Sequence, residues 1–171
     1  MTVELLLLRL IHVLGGVFWV GSAVFTTLFL VPALAASGAD TGQIFAALAQ
    51  RRLFTVLPSV ALLTIASGLR LLWIASAGFA PSYFGSATGR TFACSGGAAI
   101  GAFLLSALVA RPTSIRAGRL GSSLANAPDE QRARVTVELA TLRRRGAAAS
   151  AAAVTLLVLG AAGMSVARYL V

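Results

Sequence analysis

The residues best suited to chemistry in this chain lie in its first apolar run, Leu8-Arg9-Leu-Ile-His12-Val-Leu-Gly15-Gly16-Val-Phe-Trp19. His12 is the only histidine, and it sits inside an almost unbroken apolar segment from Leu5 to Val31. Crossing a bilayer takes about 20 apolar residues. An ionisable group inside hydrocarbon is costly, so its presence is a functional hypothesis by default. An imidazole offers two chemistries there. It can hydrogen-bond a neighbouring helix, or it can ligate the iron of a haem or related tetrapyrrole, or another metal. On a helix, His12 shares a face with Leu8, Gly15, Gly16 and Trp19, and further along with Glu4, Ser22, Ala23 and Thr26. That face is mildly polar and rich in small residues, as a bundle interior should be.

Depth adds a second argument. At 1.5 Å per residue, His12 and Arg70 each lie about 10 Å below the outer ends of their spans, Met164 about 9 Å, and Cys94 a few ångströms. Four unusual groups on four spans therefore share one layer, with Arg9, Arg90 and Arg168 just above it. A haem b held by His12 and Met164 would place its propionates near those arginines. Arg9, Arg70 and Trp19 complete this candidate cofactor site. His12 with Cys94 and Met164 is, alternatively, a soft ligand set for Cu(I). Each residue also has a plainer role. Met164 can be a core or lipid-facing side chain, Cys94 a small packing residue, and Arg70 a side chain snorkelling outward. Sequence does not fix the rotation of a helix about its axis, so both sets of roles stay open.

Four elements must position these groups: apolar segments over 5–34, 53–77, 91–110 and 147–170. Hydrophobic residues make up 58% of the chain and charged residues 11%, against roughly 25% charged in a soluble domain. Only helices and closed barrels satisfy their backbone in lipid, and strict alternation is absent. The expected fold is all-α: a polytopic membrane protein forming one domain over 1–171, with four transmembrane helices in an antiparallel bundle. Short amphipathic helices are expected on the cytoplasmic side. Ser37-Gly38 ends the first helix, and Asp40 or Thr41 caps an interfacial helix reaching Arg51-Arg52. The neutral 78–89 loop is turn-rich and puts Tyr83 and Phe84 at head-group level. The basic loop 111–145 is split by Asn126-Ala-Pro128. Asp129 and Glu130 suit the first turn of a helix through Val135, Leu139 and Leu142, either extending the fourth span or lying on the surface. No internal repeat is evident.

All fourteen basic residues are Arg, and the net charge is +9. Ten of them fall in the first and third loops, which by the positive-inside rule puts those loops in the cytoplasm and both termini outside. A multi-pass protein of a bacterial-type inner membrane is expected, with the lipid bilayer and not nucleic acid as the arginines' partner, because no basic stripe is interleaved with exposed aromatics. The first segment is too long for a signal-peptide core and reads as an uncleaved span. A single cysteine excludes an intrachain disulfide. There is no Ser/His/Asp set, no pair of intramembrane carboxylates, no phosphate-binding glycine loop and no zinc ligand cluster, so no residue is assigned as catalytic. Small-residue patterns at Gly97 and Gly101, and at Gly160 and Gly163, allow close helix contact within the chain, with a second copy or with other membrane subunits.

The pattern Arg9-x-x-His12 followed by Trp19-x-Gly21 resembles the first span of a superfamily of small four-helix membrane proteins. That superfamily includes the HemJ-type protoporphyrinogen oxidases and CopD-like copper-resistance domains. Arg51-Arg52-Leu53-Phe54, then Pro58 and Gly68, is similar to the second span of the HemJ-type proteins, and the basic stretch Arg111-Pro112 to Arg119 is of the same kind. The resemblance implies that His12 binds haem. HemJ-type proteins also carry a lysine in the third span and an Asn-Glu-x-Pro start to the fourth, whereas this chain has no lysine and nothing of that form between Leu139 and Ser150. The expected function is an auxiliary or electron-transfer role around His12. Alternatives are a cofactor-free subunit of an energy-transducing membrane complex, and a HemJ-like oxidoreductase or copper-handling protein.

Overall fold

Each apolar run folds as continuous helix, because a backbone without water must satisfy its own hydrogen bonds. The computed structural model describes residues 2–37, 41–124 and 128–170, and no strand occurs among them. In chain order the helices are α1 (Val3–Phe25), α2 (Val31–Ser37), α3 (Thr41–Gln50), α4 (Leu53–Ala75), α5 (Pro81–Gly85), α6 (Ala87–Leu105), α7 (Arg111–Leu124) and α8 (Asp129–Val166). Four helical stretches are long and apolar enough to cross a membrane: Val3–Ser37, Leu53–Ala75, Ala87–Leu124 and Glu130–Tyr169. The positions assigned to Gly38, Asp40 and Asn126 lie outside the described residues.

The helices run further than hydropathy alone suggests. α6 starts at Ala87 because the Ser86 hydroxyl accepts from the Gly89 N–H at 3.0 Å and caps the free end. The segment 111–145, expected as a loop with one helix, is instead a helical hairpin. α7 prolongs the third span and α8 runs unbroken from Asp129 through the fourth, so of the two options for 129–142 the structure takes the extended span. Val135, Leu139 and Leu142 form its inner face, with Leu139 and Leu142 buried. The 78–89 segment contains the short helix α5, in which Tyr83 and Phe84 are half-buried and packed edge-on at 5.5 Å.

Pro112 stands where the third span continues into α7. A proline inside a helix removes one donor and crowds the carbonyl four residues back. Here a π-helical turn, Ser106–Ala110, stands immediately before Arg111-Pro112 and lets the chain continue. The same device occurs in the first span, where the π turn Thr26–Leu30 precedes Val31-Pro32. In each case the proline lies six residues beyond the start of the turn, and the two copies are offset by 80 residues. The chain thus repeats a helical feature in which the two segments share a leucine, Leu28 and Leu108, and the proline four residues on.

α1 packs on α4, and α6 packs on α8. Within each pair, contacts fall along one helix as they rise along the other: Glu4 meets Arg70 and Gly15 meets Thr64, while Gly101 meets Leu156 and Gly163 meets Ser95. The pairs join through buried Trp19, Ala61, Ala102, Ala153 and Leu157, with Ala23, Ala99 and Phe103 against them. Trp19 lies edge-on to Phe103, with ring centroids 6.3 Å apart. The 80-residue offset matches Trp19 with Ala99 and Ala23 with Phe103. Large and small residues are exchanged between the two pairs, which is how facing positions interdigitate.

Candidate functional site

His12 projects from α1 onto α4. Its Nδ1 lies 2.8 Å from the backbone carbonyl of Thr64. A carbonyl can only accept, so Nδ1–H is the donor. In a neutral ring this fixes the tautomer and leaves Nε2 with a lone pair. The same carbonyl receives the Ser67 hydroxyl at 3.0 Å. The ring has room only because residue 68 is glycine, since a Cβ there would stand 2.6 Å from His12 Cε1. Gly15 plays the matching part on α1, where a Cβ would collide with the Thr64 hydroxyl. That hydroxyl is itself held by Val60 O at 2.8 Å. Of the small residues that the sequence puts on the histidine's face, Gly15 helps to seat it, while Thr64, Ser67 and Gly68 come from α4.

One helical heptad links this site to the core. Seven residues return a helix to nearly the same face, about 10 Å along its axis. Stepping outward from Trp19, Ala61, Phe103 and Leu157 gives His12, Gly68, Gly96 and Met164. The inner layer holds two aromatic rings and the outer layer holds two glycines. Gly96 is half-buried on the Phe103 side of α6, and nothing lies within 4 Å of where its Cβ would be. Met164 is half-buried on the Leu157 side of α8. By this register His12 and Met164 face the same level from opposite pairs.

The other candidates divide. Trp19 is 6% exposed and serves the core layer below His12. Arg70 does not snorkel alone. Its Nε and Nη2 donate to one carboxylate oxygen of Glu4, at 2.9 and 2.7 Å, with both side chains about half exposed. Arg9, Arg90 and Arg168 are exposed at the same end, and the Arg168 guanidinium stacks over Tyr169 at 5.0 Å. Cys94 is exposed, on a face of α6 with Arg90 and Gly97. No group of three His, Cys, Asp or Glu side chains among the described residues converges on a metal-sized centre. Gly101, Gly160 and Gly163 are used within the chain, at the α6–α8 contact, whereas Gly97 is exposed to open space.

Sequence reasoning missed Gly68, Gly96 and Thr64 as parts of the site. Gly68 lay in the sequence as a lone glycine inside a span, which a helix tolerates only at a cost of about 1 kcal/mol against alanine. That cost was the available signal. Comparison with protein-family models, curated proteins and solved structures found no match.

Proposed function

We propose that this chain is a four-span protein of a bacterial-type inner membrane, with an antiparallel bundle, both termini outside and its arginine-rich loops in the cytoplasm. Its outer layer holds haem b or a related tetrapyrrole through His12, for an auxiliary or electron-transfer role. The membrane placement rests on the arginines flanking the Trp19 layer. Outward these are Arg9, Arg70, Arg90 and Arg168; inward the nearest on three helices are Arg52, Arg111 and Arg145. All stand eight to thirteen residues away, about 12–20 Å of helix rise. The two sets are thus separated by about 30 Å, the thickness of a hydrocarbon core.

The observation that carries the cofactor reading is the Nδ1–H bond to Thr64 O, 2.8 Å long. Histidines that ligate metals almost always donate their other ring N–H to a carbonyl or carboxylate, which orients the ring and raises its basicity. The donor set fits an iron tetrapyrrole: an oriented imidazole, a thioether on the facing pair, and glycine space at Gly96 beside them. When bound, such a group supplies one-electron transfer. The chain's own part is to aim Nε2, to offer the Met164 sulfur, to surround the group with apolar residues, and to present Arg90 and Arg168 to carboxylate substituents. Arg70, already engaged by Glu4, is not needed for that.

The absorption spectrum of the purified full chain, as isolated and after haem addition, tests this reading. A Soret band that is absent in His12→Ala supports it. Met164→Leu should keep the band but change its ligand-field signature. A wild-type preparation that stays colourless with added haem sinks the proposal, as does an unchanged band in His12→Ala. A second reading, a cofactor-free subunit of a larger membrane complex, is favoured by exposed Gly97, which offers a partner helix close approach. Stable co-purification at fixed stoichiometry from a colourless preparation is its expected sign.

A further inference from the structure

The inner end of the molecule carries Arg51 and Arg52 before α4, Arg111 at the start of α7, and the run Arg143-Arg144-Arg145 on α8. All six are exposed, and none forms an ion pair among the described residues. The triplet has a particular geometry. Leu142 and Gly146 on either side of it are buried, and the backbone at Gly146 approaches the Thr113 hydroxyl of α7 so closely that a Cβ would stand 3.1 Å from it. At about 100° per residue, the three arginines fan round the circumference that α7 leaves open. A linear acidic partner would be met by a stripe at spacings of three and four along one face. Arginines at one level around a helix instead match ligands that surround the helix in a plane.

Height points the same way. Counted from the Trp19 layer, the six lie about 12–21 Å inward. The phosphate plane of a bilayer lies between the edge of its hydrocarbon core, about 15 Å from the centre, and the outer limit of its head groups, about 20–22 Å. Arg119, Arg132 and Arg134, further along the hairpin, lie about 24–38 Å inward and so stand in water. Glu138, the nearest described acid further inward along α8, is more than a turn from Arg143 and faces Arg116 at 3.8 Å. Among the described residues the ring is therefore uncompensated at the depth of the phosphates. Guanidinium forks bind phosphate oxygens in pairs, which an ammonium cannot do.

We propose that Arg51, Arg52, Arg111 and Arg143–Arg145 form a binding ring for the phosphodiester head groups of anionic lipids in the inner leaflet. This rests on the membrane placement above and is independent of any cofactor at His12. The ring retains anionic lipid through extraction, whereas the arginines at the hairpin tip do not.

Native mass spectrometry of the detergent-solubilised full chain, given equal amounts of phosphatidylglycerol and phosphatidylcholine, tests the proposal. Phosphatidylglycerol adducts should exceed phosphatidylcholine adducts about tenfold, as a cluster of basic residues at a span end warrants. The triple variant R143Q/R144Q/R145Q should lose most of that preference. R119Q/R132Q/R134Q, with the same change in charge, should keep it. A wild-type ratio near one overturns the proposal, even where the first triple variant cannot be recovered folded. So does an equal fall in the two variants, which would trace binding to net charge alone. Displacement of the lipid by a short single-stranded DNA at physiological salt also overturns it, as does displacement by millimolar inorganic phosphate.

Discussion

The two helix pairs solve one problem in different ways. In lipid no hydrophobic force drives helices together, so association relies on close packing and on hydrogen bonds between them. α6 and α8 meet through small residues: Gly160 against the Ser95 carbonyl and Ala98, Gly163 against the Ser95 side chain, with Ala102 and Ala153 fully enclosed. α1 and α4 also use glycines, but theirs make room for polar side chains: His12 on the Thr64 carbonyl, and Glu4 on Arg70. The first pair meets by packing along its helices, with one hydrogen bond at its end, where the Thr88 hydroxyl donates to Leu170 O at 2.8 Å. The second is held by polar side chains that reach from one helix to the other. In the proposed site the α1–α4 pair accordingly contributes the oriented imidazole, and the α6–α8 pair the facing wall that carries Met164.

The sharpest way to break this contrast is to overfill the packing pair. A Cβ at Gly160 would lie 3.0 Å from the Ser95 carbonyl oxygen, a backbone atom that cannot swing aside. Gly160→Val should cost about 2–3 kcal/mol of stability, at the high end for overpacking, as a lower midpoint in thermal or denaturant unfolding in detergent. Gly101→Ala, whose nearest neighbour is Leu156 Cδ1 at 3.9 Å, is the matched control. It should destabilise by no more than about 0.5 kcal/mol. If the two glycines responded alike, α6 and α8 would not be joined by backbone approach.

The polar pair makes a smaller and more specific prediction. Gly68→Ala puts a methyl 2.6 Å from His12 Cε1 and 3.0 Å from Nδ1, so the ring must leave the Thr64 carbonyl. The loss should be about 1.5 kcal/mol, that of one hydrogen bond plus a polar group left without its partner. In a His12→Ala background the same substitution should be neutral to stabilising by up to about 1 kcal/mol, because the obstacle is gone and alanine is the better helix former. A double-mutant cycle measures this coupling directly. Additive losses would show that Gly68 serves the helix rather than the histidine.

How much of this was legible follows from what periodicity can carry. The four spans, the packed face of α1 and the helical start at Asp129 are all properties of residues near one another in sequence, and they were readable there. The pairing of Arg70 with Glu4 was not, because snorkelling and pairing look alike until helix rotation is known. Helix α7 was not read because the 111–124 stretch is basic and polar, and nothing local announces that a π turn will carry the third span past Pro112. The repetition of that turn is a backbone property that Thr26-Thr-Leu-Phe-Leu30 and Ser106-Ala-Leu-Val-Ala110 satisfy with largely different side chains. That nothing stands within 4 Å of a Cβ at Gly96 depends on how neighbouring helices pack, which no single segment encodes.

The smallest expected effect tests whether every polar contact in the α1–α4 pair carries equal weight. Glu4 and Arg70 are joined by two short hydrogen bonds, yet both side chains stay about half exposed at the outer end. An exposed ion pair gains little, since solvent screens it and two long side chains must be held still. His12, seated over Gly68 and among apolar residues, has no such compensation when its partner is lost. Glu4→Gln should therefore cost about 0.5 kcal/mol or less, and raising the salt concentration should shrink even that difference. The His12–Thr64 contribution should not respond to salt. A loss at Glu4 as large as that of Gly68→Ala would mean that the outer end is sealed from water, with Arg70 held as a buried charge, and the seat of His12 would then extend to the ion pair above it.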